Sequence, residues 1–168
     1  MYKSAQDRKI FQSLSEEERR SQRKSISVQK IAGLISSNIE KRRKYFLNEV
    51  LGQEEIWTSF APDDNIDGWY DPKHGVNVVP VWPNKEFCEQ FSLTKEKGWR
   101  CVPIPLVDWI DIVSPEIESA GNQIAMFPID NQDYEIIAPE VLLDEWENEW
   151  KRFVKYQLEF GGLSTKTK

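Results

Sequence analysis

The sequence predicts an α+β fold, and three observations predict it. Apolar residues recur at spacings of three and four from Ser27 onward, the period of an amphipathic helix. The middle of the chain holds short Val-, Ile- and Trp-rich runs parted by Asp, Asn, Pro and Gly, the pattern of short strands and turns. Leu143, Trp146, Trp150, Phe153 and Leu158 then recur at helical spacing within PEVLLDEWENEWKRFVKYQLEF, a long terminal helix. The expected architecture is a mostly antiparallel sheet of about five strands, packed by an N-terminal helical pair, inner helices and the C-terminal helix. The chain divides into a charged extension over 1–26, one α+β domain over 27–160 and a flexible tail over 161–168.

In the extension, Ser15 and Glu18 fit a capping box for a short solvated helix. Val28, Ile31, Leu34 and Ile35 form the apolar side of the first domain helix. Ser36-Ser37-Asn38 interrupts it, and Asn38 suits the N-cap of a second helix. That helix runs to Gly52 as its C′ residue, with Ile39, Tyr45, Phe46, Val50 and Leu51 inward. A strand follows over Ile56–Phe60, then the loop APDDNIDG, Trp69-Tyr70, a turn at Asp71–Gly75 and the strand NVVPVW. Pro80 lacks an N–H and therefore belongs where no ladder bond is needed. Asn84 caps a helix to about Leu93, WRCVPIPL returns as a strand, and Pro105 opens a helix whose inner face holds Trp109, Ile112 and Val113. Pro115 kinks or restarts that helix. QIAMFPI and YEIIA form two strands with a hairpin-like link, and Pro139 opens the terminal helix.

Charge is unevenly spread. Residues 1–45 hold 12 Lys/Arg against 5 Asp/Glu, a balance of +7, whereas residues 46–168 hold 10 against 23, a balance of −13. An acidic body disfavours a phosphate backbone as main partner and favours a basic protein surface. No run approaches the ~18 apolar residues that span a bilayer, and the charged start lacks an apolar signal core. Cytoplasmic localisation is therefore expected, with Cys88 and Cys101 as reduced thiols.

Catalytic chemistry finds no complete motif. His74 is the lone histidine, no GxSxG accompanies a serine, and CxxC, HExxH and phosphate-loop patterns are missing from the chain. Asp63, Asn65 and Asp67 before Gly68 imitate the start of a calcium loop, but His74 stands where its bidentate glutamate belongs. Turn-forming residues in a hairpin loop account for the same letters. No cofactor or metal is expected.

Taken in order, RRKYFLNEV, EEIWTSF, GWYD, VVPVWPNKEFCEQF, VPIPLVDWI, IAMFPI and PEVLLDEWE resemble the bacterial domain-of-unknown-function 2750 family, over about residues 27–153. Val79-Pro80-Val81-Trp82-Pro83-Asn84-Lys85-Glu86-Phe87 carries the resemblance most visibly. It implies a small α+β domain and no catalytic residue. It also implies kinship of type with small acidic bacterial proteins, some of them immunity proteins encoded beside toxins.

The expected function is a non-enzymatic acidic protein-binding domain, an immunity protein that blocks a basic bacterial toxin. Its expected contacts are Asp63, Asp64, Asp67, Glu145 and Glu149, with an exposed tryptophan among carboxylates as anchor. Two alternatives stand beside it. One is a nucleic-acid-associated regulator using the basic residues 1–45, and the other a small enzyme built on Lys85, Cys88 or His74.

Overall fold

The computed structural model describes residues 25–92, 97–130 and 134–160, without the side chains of residues 153 and 156–160. The expected box at Ser15–Glu18, the tail and the Phe153 and Leu158 contacts lie outside these.

The elements run α1 (Val28–Ile35), α2 (Ile39–Gln53), β1 (Glu55–Phe60), β2 (Trp69–Asp71), β3 (Val76–Val81) and α3 (Lys85–Phe91). Then come β4 (Arg100–Pro105), α4 (Leu106–Asp108), a π turn (Trp109–Val113), α5 (Ser114–Ser119), β5 (Gln123–Met126), β6 (Glu135–Ile137) and α6 (Pro139–Phe160). The fold is α+β as expected. Its strands form two sheets: an antiparallel β1–β4 pair and a four-stranded sheet in the order β2-β3-β5-β6. An antiparallel bridge between Trp57 and Trp82 joins them. The β3–β5 pair is parallel, because the long path through α3, β4 and α5 returns the chain in the same direction.

Caps explain the helix starts. The Ser27 side chain accepts from the Lys30 amide at 3.2 Å and Asn38 from the Lys41 amide at 2.9 Å. α2 runs through Gly52 to Gln53, and Glu54 takes the left-handed position at φ 59°. Its buried face is Arg42, Phe46, Leu47 and Val50, while Ile39 stays at the surface. Asn84 precedes α3 but makes no cap bond; its amide bridges α2, accepting from Tyr45 Oη at 2.9 Å and donating to Glu49 at 3.1 Å. Burial against α2 diverts it from the cap.

The π turn rotates the helical face. Pro115 offers no N–H to the carbonyl of Asp111 and its ring crowds that oxygen. The chain widens by one residue, and the Ser114 amide reaches back to the Trp109 carbonyl. Ile110 is thereby buried with Trp109, and Ile112, expected inward, is 55% exposed. On α6 the buried pair is Leu142 and Trp146, with Leu143 and Trp150 packed at the margin.

Pro80 falls between two partners. On one edge β3 pairs with β5, Pro80 opposite Ala125; on the other, β2 opposes β3 up to Val78 and the bridge to β1 begins at Trp82, so the absent N–H falls in the gap on that edge. The Pro80 carbonyl instead accepts from Thr58 Oγ1 at 2.7 Å. Trp82 is fully buried and donates through Nε1 to the Pro128 carbonyl at 2.9 Å. Phe87 meets Phe127 edge-on at 4.5 Å between centroids, so VVPVWPNKEF closes the core.

Candidate functional site

The sequence-predicted acids fall in two places. Asp63, Asp64 and Asp67 lie on the loop between β1 and β2, and Glu145 and Glu149 lie on α6. The loop is held by its own backbone: Ala61 N–H donates to Asn65 O at 2.9 Å, Asp64 N–H to Ala61 O at 3.1 Å and Asp67 N–H to Ser59 O at 2.8 Å. Asp63 is exposed and accepts from the Asn65 side-chain amide at 2.9 Å and the Asn65 backbone N–H at 3.2 Å. Those bonds hold its carboxyl below the ordinary value. Asp64 pairs with Arg100 at 2.5 Å, and the Arg100 guanidinium lies 5.4 Å from the Phe60 ring centre. Gly68 ends the loop for a steric reason: a Cβ there would stand 2.6 Å from the Val78 carbonyl oxygen. The glycine is thus one of close strand approach.

β2 is an edge strand of only three residues, and Tyr70 in its middle is 60% exposed. Its neighbours Trp69 and Asp71 turn the other way. Asp71 is 5% exposed and sits at the centre of a polar network. It accepts from Tyr134 Oη at 2.6 Å, from the His74 backbone N–H at 3.1 Å and from the His74 ring, whose Nδ1 is 3.1 Å away. Trp69 Nε1 donates to Tyr134 Oη at 3.2 Å, and the two rings meet edge-on at 5.9 Å. The Tyr134 bond, then the His74 contacts, hold the Asp71 carboxyl down at about 2 against the cost of desolvation. Burial first, then the adjacent carboxylate, pushes the Tyr134 phenol up. A carboxylate only accepts, so Nδ1 of His74 carries the hydrogen toward Asp71.

The network continues toward α6. Glu135, next to Tyr134, pairs with Arg43 at 2.7 Å, and Arg43 pairs with Glu145 at 2.7 Å. Glu149 stands apart from this chain and pairs with Arg152 at 2.6 Å. Two of the four consecutive cations on α2 therefore have internal duties, since Arg42 is buried and donates to the Ser37 carbonyl at 2.6 Å. Among the described residues, no group of three or more His, Cys, Asp or Glu is gathered for a metal ion. None of their helices is long and apolar enough to cross a membrane.

The cysteines depart from expectation. Cys88 of α3 and Cys101 of β4 are joined in a disulfide across 6.1 Å between Cα atoms, within the usual reach of such a bond. Neither is a free thiol. Lys85 is exposed and faces Glu89 at 3.4 Å, so the VVPVWPNKEFCEQF segment brings no nucleophile and base together.

Tyr70 and Tyr134 were not singled out from the sequence, and Asp71 only as the ninth place of the calcium-like loop and the start of a turn. Asp71 and His74 were legible as a turn pair, Asp followed by Pro with a glycine four residues on. Tyr134 carried no signal, because its partner is 63 residues away.

A family model described as "Protein of unknown function (DUF2750)" matches residues 43–146. The chain belongs to the DUF2750 family. Neither a curated protein nor a solved structure matches it. The matched span of this DUF2750 domain runs from Arg43 to Trp146, so it includes the acidic loop, β2, the Asp71 network and both cysteines.

Proposed function

We propose that this DUF2750 domain is a non-enzymatic protein-binding module of the bacterial cytoplasm, an immunity protein that covers the working surface of a basic toxin domain. The observation that supports this reading is Tyr70, an exposed aromatic on an edge strand that begins two residues after Asp67. Tyrosine supplies a large amphipathic contact with few rotors, the residue type that anchors interfaces. The balance of −13 over residues 46–168, within a net −6 for the whole chain, steers a cationic partner before short-range contact. Among the described residues, Asp63 and Asp67 are the loop acids with no ion pair, while Asp64, Glu145 and Glu149 each would exchange an internal partner for an external one.

The test is binding to the basic protein encoded beside this gene. Association should slow at least about tenfold between low and moderate salt, and Tyr70→Ala should weaken the complex about 30-fold, the equivalent of ~2 kcal/mol. Protection of cells producing that neighbour should disappear with the same variant. A neighbour that does not bind, or binds equally well with Tyr70 removed, would sink the reading.

One observation favours a second reading, a small enzyme. Asp71 holds the His74 ring through Nδ1 at 3.1 Å, and the His74 side chain is 45% exposed, so its other nitrogen can face a substrate as a general base would. A hydrolysis screen that loses activity in His74→Gln would support it. Activity unchanged in that variant would remove it.

A further inference from the structure

We propose that the Cys88–Cys101 disulfide is a redox-operated clamp on the acidic loop. The bond fastens the first residues of β4 to the fully buried side of α3. The residues next to Cys101 are those that touch the loop. Gly98 (φ +93°) runs so close that a Cβ on it would lie 3.2 Å from Cβ of Pro62. Arg100 pairs with Asp64 and covers Phe60. Cys101 itself stands opposite Ser59, whose carbonyl accepts from the Asp67 amide. One covalent link therefore holds the strand end against which the Asp63–Asp67 turn is pinned.

The two sulfurs are unequal in access. Cys88 is 0% exposed, while Cys101 is partly exposed, so an incoming thiolate reaches the Cys101 side first. A dithiol reductant supplies the chemistry. Its thiolate forms a bond to Cys101 Sγ, the Cys88–Cys101 bond breaks, and Cys88 leaves as a thiolate that takes up a proton. Ser92 Oγ, 3.9 Å from Cys88 Sγ, is placed to donate to that leaving sulfur. The second thiol of the reductant then displaces Cys101, so the protein gains two thiols and the reductant becomes a disulfide. With no other cysteine in the chain, the pair can only reclose on itself or bond outside the molecule.

The clamp deepens the binding reading, and only its biological consequence rests on that reading. Reduction would free Arg100 from Asp64 and let the loop acids reorient toward a cationic partner. The test is made on the free protein, so failure of the clamp and failure of the partner are separate results. Dithiothreitol is added under native conditions, bond opening is followed by alkylation and intact mass, and amide exchange is read before and after. The amides of Ala61, Asp64 and Asp67 should exchange about tenfold faster once the bond opens, while the Phe127 amide bonded to Val81 keeps its rate. Arg100→Ala with the disulfide intact should reproduce the faster loop exchange, because it removes the pin and leaves the fastening.

Unchanged loop exchange after complete reduction would overturn the clamp. So would a uniform rise across every amide, which would make the bond a support of the whole fold. Opening by dithiothreitol only at denaturant concentrations that unfold the protein would overturn it as well.

Discussion

The loop between β1 and β2 and the first half of α6 are both acidic, yet the fold treats them differently. On α6, Glu147 faces Lys151 at 3.2 Å and Glu149 faces Arg152, so helical spacing alone supplies the counter-charge within one or two turns. Glu145 is engaged by Arg43 of α2. The loop has no such neighbours in sequence. Asp63 is answered by an uncharged amide, and the cation that meets Asp64 comes from 36 residues away. Residue counts treat these acids alike. Backbone geometry decides which of them are already occupied and which still face solvent.

That contrast can be broken at several points, and unfolding measurements rank them. Trp146→Ala should cost the most, about 3–5 kcal/mol, because the ring is fully buried and stacks on Phe46 at 5.9 Å between centroids. A loss below about 1 kcal/mol in urea would mean that α6 is not the packed side. Asp71→Asn should cost less, and its cost should depend on pH. The native carboxyl is held at about 2, below the ordinary 3.8, so its stabilisation is complete well above pH 4 and fades as pH falls toward 2. Thermal melts of wild type and variant should therefore differ at pH 6 and converge near pH 2. A gap that persists at pH 2 would show that the carboxylate is not the source.

Smaller effects separate the two acidic regions more finely. Glu145→Gln should remove under about 1 kcal/mol, since Arg43 retains Glu135 and both partners are about one-third exposed. A double-mutant cycle with Arg43→Gln would return a larger coupling if the Glu135–Arg43–Glu145 bridge acts as a unit. Tyr70→Ala should change stability by no more than about 0.5 kcal/mol, because the ring is largely in water. The same change is the one expected to damage partner binding most. A Tyr70→Ala protein that unfolds easily would place the ring in the core and undo the distinction between packed side and docking side.

Local signals in the sequence were read where the physics is local. Asn38 caps α2 through its own side chain, and Pro139 opens α6, because caps act over three or four residues. Of the aromatic residues expected inside, Phe46, Trp82, Phe87, Phe91, Trp109 and Trp146 are buried, while Tyr45 and Trp150 pack at the margin. Signals failed where a distant group competed. Asn84 forgoes its cap for Tyr45 and Glu49, and Glu54, not Gly52, takes the left-handed turn directly before β1. Ile112 was assigned inward by a regular period, which the π turn before Pro115 shifts by one residue. The candidate site shows the same division. Its acids were named from charge and turn chemistry, whereas Trp69, Trp99 and Trp150 are half-buried and the exposed aromatic beside the loop is Tyr70.

By itself the sequence determined the α+β class, the family and the acidic body, because periodicity, turn chemistry and net charge need no knowledge of distant neighbours. Only the tertiary structure decided the parallel β3–β5 pair, the Tyr134–Asp71–His74 network and the bond between two cysteines expected to be free. Each of these joins residues far apart in the chain. Their meeting depends on how the elements pack, and no short window of sequence carries that information.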